Sequence, residues 1–359
     1  MIKSNKTMIL VILLLTSIIM SGCLGSQQNP SDTITETNRT VIDQKGREVE
    51  IPKEINSVVS TYGPATNLIF AVGAQHKLVA VPDKTHSNKF FTSVYPEVLK
   101  LDEIGSRGEG LNIEAVIASN PDVVILFPGN DNETIIEQLA TQKIPAVVIN
   151  PESIEEILEC IELLGDVLGR EAQAKELIAY YIESLELVES RVSNISLDQR
   201  KKVYLAGSNG LLSTTSSDMY QHHLIEQAGG INVASSLNGG WNQVSAEQLI
   251  KFNPDFITSV QYSKGNVAQE ISDNKQFSNI EAIKNKQVYI FPSNLGGWDM
   301  PEPRSILGIL WLSNMLYPEE FADMDILKEI EEFHLNFYGK NFTELGGILN
   351  DNEILEKIK

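Results

Sequence analysis

Residues 171–195, EAQAKELIAYYIESLELVESRVSNI, run 25 positions without glycine or proline, and their reading decides the fold. Ala174, Leu177, Ile178, Tyr181, Leu185, Val188, Val192 and Ile195 recur at spacings of three and four, while Glu176, Glu183, Glu186 and Arg191 fall on the other faces. That spacing predicts one amphipathic helix over 171–196. At 1.5 Å per residue it would reach roughly 37 Å, the width of a small domain. The segments on its two sides look like variants of one another, which predicts two lobes joined by a stiff rod. The alternative is a long core helix inside a single domain.

The duplication is clearest in LNIEAVIASNPDVV (111–124) against VSAEQLIKFNPDFI (244–257). Glu114 precedes Pro121 by seven residues, and Glu247 precedes Pro254 by the same seven. Each therefore puts a carboxylate in the first turn of a helix, where the helix dipole favours it. Capping alone would satisfy either one; the matched position argues for a role the two lobes share.

Working outward, 41–60 reads as a hairpin turning at Gly46 and then a strand, followed by a helix in TYGPATNLIFAVGA and strands in HKLVAV, DVVILF and IPAVVIN. After the rod, KKVYLAG, DFITSV and QVYIFP repeat the strand pattern between helices. Strands alternating with helices predict mainly parallel, covered sheets. The expected fold is α/β, two Rossmann-like lobes joined by one long rigid α-helix. The lobes span 39–170 and 197–318; the second closes with a helix that starts at Pro303 and carries an apolar stripe of Ile306, Ile309, Leu310 and Leu316. Residues 319–359 read as a C-terminal helical appendage.

Lys3 and Lys6 precede the apolar run MILVILLLTSIIM (8–20), too short to span a bilayer but suited to the core of a secretory signal. Ser21 and Gly22 before Cys23 fit a lipoprotein processing site. We expect a signal peptide over 1–22, lipidation at Cys23, and a polar tether over 23–38; an uncleaved anchor is the alternative. Sequons at Asn38, Asn132, Asn194 and Asn341 fit an exported chain, but such triplets are common by chance. Cys160 reads as a small buried hydrophobe.

The chain has 359 residues, 42% hydrophobic and 21% charged, enough for two folded domains, and its formal charge of −20 argues against nucleic acid as a partner. It lacks H-E-x-x-H, G-x-S-x-G and the phosphate-cradling glycine loops, so no enzyme is expected. The five histidines are His76, His86, His222, His223 and His334. The adjacent His222 and His223 would point about 100° apart on a helix and make a poor ligand pair, so no resident metal or cofactor is expected.

VIDQKGREVEIP, ATNLIFAVGA, LNIEAVIASNPDVVIL, the repeat around Glu247 and WDMPEPRSILGILWLSNMLYP occur in an order that resembles one family over about 41–339. It is the substrate-binding lipoproteins of ABC importers for iron-siderophores, haem and vitamin B12. The resemblance implies a ligand held between the lobes, and one glutamate per lobe docking onto arginines of a permease dimer with its ATPase subunits. By position the glutamates are Glu114 and Glu247; Asn67 stands where another glutamate is common, so its helix is not assigned to docking. Loop positions similar to the family's ligand site are Tyr62, Gly63, Arg107, Trp241, Trp298 and Arg304. Aromatic faces and guanidinium forks suit large chelates. For Trp241 and Trp298 the alternative is core packing, for Arg304 a structural ion pair, and Tyr220, His222 or His223 is a lesser candidate for touching a chelate.

The expected function is that of an extracytoplasmic binding component for an iron-siderophore type chelate. Cobalamin or haem is the alternative within the class, and a bare divalent metal or an enzyme comes after these. Attachment to the outer face of the cell membrane through lipid and a monomeric state complete the expectation. With no glycine hinge in the rod, only a small change of lobe angle on binding is expected.

Overall fold

Alternate residues along the central strands enter different cores. In the first lobe Val58, Val123, Ile125 and Val147 point into one apolar body, and Val59, Val124, Leu126 and Val148 into another, as the period of two in a pleated strand requires. The computed structural model describes residues 38–106, 110–127, 129 and 132–349. The signal sequence, Cys23, Arg107 and all of the tether but Asn38 lie outside them. No helix among the described residues is long and apolar enough to cross a membrane.

The first sheet has five parallel strands in the order Asp102–Glu103, Leu78–Val81, Val58–Ser60, Val123–Leu126 and Ala146–Val148. The second runs Asn242–Gln243, Gly210–Thr214, Lys202–Gly207, Phe256–Ser259 and Val288–Ile290, with Ile231–Asn232 also paired to Lys202–Gly207. Its centre is parallel, as expected. Its margin is antiparallel, which the sequence reading missed. Only Ser208 and Asn209 separate the first strand from GLLST, too few for a crossover helix, so that strand must fold back.

Each sheet buries its outer face in a core of its own. The inner faces share a third core with the connecting helix, the helix Ser305–Leu316 and the helix Ile326–Tyr338. The connecting helix is Glu171–Val192, about 33 Å at 1.5 Å per residue and shorter than the 171–196 expected. Ser193 and Asn194, both weak helix formers, end it. The adjoining helix Ile154–Leu168 ends on left-handed Gly169 and packs so close that a Cβ on Gly165 would collide with Ala174. Midway, the buried Tyr181 hydroxyl donates to the Pro303 carbonyl at 2.8 Å and ties the rod to the second lobe.

Three further expectations change. Ser305–Leu316 is buried all round rather than along one stripe, so it is a central core helix. The C-terminal segment is no appendage. Ile330, Phe333, His334 and Phe342 lie in the shared core or against it, with no exposed surface. Lys340 Nζ donates to the Ser93 carbonyl at 2.6 Å, while the Gly346 carbonyl accepts from Lys89 of the first lobe and Asn294 of the second. The N-terminal hairpin pairs Asn38–Ile42 with Glu48–Pro52 and turns at left-handed Gly46, so the strand already includes Asn38, which the expectation assigned to the tether.

Candidate ligand-binding cleft

In the first sheet the strand order reverses between Val58–Ser60 and Val123–Leu126. Crossovers leave such a point on opposite sides and open a crevice at the strands' C-terminal ends. Tyr62 and Phe127 follow those two ends, with ring centroids 4.3 Å apart. Tyr62 also caps the buried helix Gly63–Ala71 in an extended conformation, and its side chain makes no capping bond. A Cβ on Gly63 would meet nothing within 4 Å, so this first turn opens onto free space. Behind it the Ser60 and Thr66 hydroxyls pair at 2.8 Å, out of solvent.

The corresponding point in the second sheet lies between Lys202–Gly207 and Phe256–Ser259. The half-buried Trp241 indole lies against Gly207, where a Cβ would collide with the ring. Tyr262, 40% exposed, follows the other strand. Its hydroxyl donates to Asp299 Oδ2 at 2.7 Å. Asp299 has no exposed surface, and burial pushes its carboxyl up to about 6, against the pull of hydrogen bonds from Tyr262 and Gln221. Burial, then the Asp299 charge, pushes the Tyr262 phenol far up; Tyr62 is close enough to add to the shift.

Of the residues expected here, Tyr62, Gly63 and Trp241 lie at the switch points. Trp298 and Arg304 do not line the cleft. The glycine pair before Trp298 turns the indole inward, where it packs unexposed against Phe342 and His334 at centroid distances of 5.8 and 6.5 Å. Arg304, 1% exposed, pairs with Glu302 Oε1 at 2.6 Å, donates to the Leu295 carbonyl and lies 3.9 Å from the Phe90 ring centroid. It is the structural ion pair that the sequence left as its alternative. Burial raises the Glu302 carboxyl and the arginine opposes that shift. Phe127, Tyr262, Gln221 and Asp299 were missed. The first two stand at strand ends, where the switch-point rule applied to every strand would have found them.

Glu114 and Glu247 are exposed at matching places on the outside of the lobes. Their helices are Ile113–Ala118, capped by the Asn112 side chain on the Ala115 amide, and Ala246–Phe252, capped by the Ser245 hydroxyl on the Gln248 amide. Each leads to a left-handed asparagine, Asn120 at φ 48 and Asn253 at φ 42. Asp122 then accepts from the Asn56 and Ser57 amides, and Asp255 from the Lys202 amide, so each braces the start of the neighbouring strand. Its own backbone amide and the Ser245 hydroxyl hold the Glu247 carboxyl below its ordinary value.

Among the described residues no three His, Cys, Asp or Glu side chains converge on a metal position. The His222 and His223 rings are 5.4 Å apart, and burial lowers the pKa of His222, whose Nδ1 pairs with Asn232. Buried Cys160 bonds through its thiol to Gln44.

The model of the periplasmic binding protein family matches residues 58–295. The chain belongs to this family. Among relatives of this periplasmic binding protein, the molybdate-binding protein MolA of Haemophilus influenzae is 29% identical over 328 residues, covering 85% of this chain and 92% of the relative. The ABC transporter substrate-binding lipoprotein YvrC of Bacillus subtilis is 27% identical over 321 residues, 87% of this chain and 97% of its own. The vitamin B12-binding protein of Yersinia pestis is 27% identical over 200 residues, 56% of this chain and 68% of its own. The solved structure of MolA bound to molybdate superposes with a TM-score of 0.75 at 28% identity, covering 84% of this chain and 98% of that one. The protein is thus a periplasmic binding protein of the ABC-importer kind.

Proposed function

We propose that this binding protein captures a metal chelate of the siderophore type between its lobes and delivers it to a permease dimer driven by ATPase subunits. One observation carries the reading: aromatic side chains with exposed surface stand at both switch points, Tyr62 against buried Phe127 in the first lobe and Trp241 with Tyr262 in the second. Flat aromatic surface of this extent suits an organic ligand larger than a bare ion. The open first turn at Gly63 offers backbone N–H groups to an anionic part of such a ligand. Arg107, outside the described residues, belongs to the same proposal as a second anion contact. Cobalamin and haem meet the same demands, and the vitamin B12-binding relative favours the former.

Molybdate is the second reading, favoured by the likeness to MolA along most of both chains. We assign Glu114 and Glu247 to docking on the permease, one from each lobe, and Cys23 to a lipid anchor holding a monomer at the outer face of the membrane. Native mass spectrometry and visible absorption of residues 24–359, incubated with ferric siderophores, haemin, cobalamin and molybdate, test the reading. A one-to-one complex with a chelate supports it. Binding of molybdate alone selects the second reading, and binding of free divalent metal alone overturns both.

A further inference from the structure

Tyr262 has a single hydroxyl proton, and its position decides what the cleft can bind at that point. The hydroxyl lies 2.7 Å from Asp299 Oδ2, while Asp299 Oδ1, equally buried, has no hydrogen-bond partner among the described residues. An ionised aspartate has no proton of its own, so the phenol must supply the one in this bond. The Tyr262 oxygen then has only lone-pair density, not a donor, to offer a ligand. Gln221, 4% exposed, lies near both groups and lowers the pKa of each. Gly297 closes the loop over the carboxylate, since a Cβ there would collide with Asp299 Oδ1. Tyr62, Tyr220 and the Glu302–Arg304 pair are the other titratable or charged groups around it.

We infer that Tyr262, held by Asp299, is a specificity-determining residue that admits a ligand presenting a hydroxyl or N–H donor and disfavours a fully deprotonated oxyanion. The inference rests on the reading of this cleft as the ligand site. It disfavours molybdate, which at neutral pH has only acceptor oxygens and negative charge. Those oxygens would face a phenol lone pair with a buried carboxylate behind it. Replacing Asp299 by asparagine removes the charge and can present an N–H to the Tyr262 oxygen, which leaves the phenol proton available to a ligand.

Isothermal titration of the wild type, Tyr262→Phe and Asp299→Asn with cyanocobalamin, ferrioxamine B and sodium molybdate tests this at pH 7.5. The first two probes carry amide N–H donors and the third carries none. The wild type should bind one of the donor-bearing probes. Both substitutions should weaken that complex by about tenfold, the loss of one hydrogen bond to a polar group, and Asp299→Asn should raise molybdate affinity. If Asp299→Asn does not fold, Tyr262→Phe alone decides: unchanged affinity for the wild-type ligand overturns the inference. Molybdate bound by the wild type more tightly than either donor-bearing probe, and weakened in Asp299→Asn, overturns it and leaves the binding-protein reading intact. Binding of no probe to any of the three proteins overturns both.

Discussion

The helix Ile113–Ala118 of the first lobe and the helix Ala246–Phe252 of the second carry the same parts in the same order: a side-chain cap, an exposed glutamate, a left-handed asparagine before proline, and an aspartate bracing a strand start. The inner ends of the same two sheets do not match. The first presents Tyr62 tilted against Phe127 beside an open helix start, and the second presents Trp241 on Gly207 and a phenol held by a buried carboxylate. A two-fold symmetric partner outside would meet one pattern twice, whereas a ligand inside meets two different walls. Under the proposed function the outer likeness serves docking and the inner difference serves recognition.

The largest effect expected from breaking this comparison is on transport. Glu114→Ala combined with Glu247→Ala should reduce uptake by about 100-fold, as expected when charge pairs on both lobes are lost, with ligand affinity unchanged. Uptake in cells producing the variant, set beside calorimetric affinity, checks it; wild-type uptake would remove the docking assignment.

Next comes the core that the lobes share. Phe342, wholly buried against Trp298 and His334, belongs to the segment bonded to both lobes. Phe342→Ala should cost about 3–5 kcal/mol, and urea should unfold both lobes in one transition. Two separated transitions in the wild type would contradict a shared core.

Two buried groups then give opposite pH dependences. Burial pushes His334 down to about 3, so only the unfolded chain takes up its proton between pH 6.5 and 3. Stability from this group is present above pH 6.5 and lost as pH falls, by about 1.4 kcal/mol per unit. Asp299 moves the other way. With its carboxyl raised from 3.8 to about 6, the folded chain holds the proton more tightly, and stability falls as pH rises through that window. Asp299→Asn should therefore stabilise the protein by about 2–3 kcal/mol at pH 7.5 and by little at pH 4. Denaturant titrations at both pH values check the sign; stabilisation confined to pH 4 would refute it.

The smallest effect sharpens the outer likeness. Asn112→Ala and Ser245→Ala each remove one helix cap and should each cost about 1 kcal/mol. Markedly unequal losses would show that the matched geometry is not matched in energy.

The rod, the parallel sheet centres and the paired glutamates could be read from the sequence because their signals are local: a helical period, strands between helices, and a fixed distance to proline. Trp298 and Arg304 could not. A loop tryptophan faces ligand or core according to what covers it, and here the cover is His334 and Phe342, in a segment that looked peripheral. The Asp299–Tyr262 bond joins residues 37 positions apart, and no spacing rule connects them. The Gly207–Gly210 turn was visible, and its shortness alone excluded a crossover.

The most direct measurement titrates the ligand identified by mass spectrometry onto Trp241→Ala and, in parallel, onto Glu114→Ala with Glu247→Ala. The account predicts an affinity loss of about tenfold or more for the tryptophan variant, the scale of one buried aromatic contact, and none for the glutamate pair. Full affinity in Trp241→Ala, or a loss in the glutamate pair, would contradict the division between a recognising inside and a docking outside.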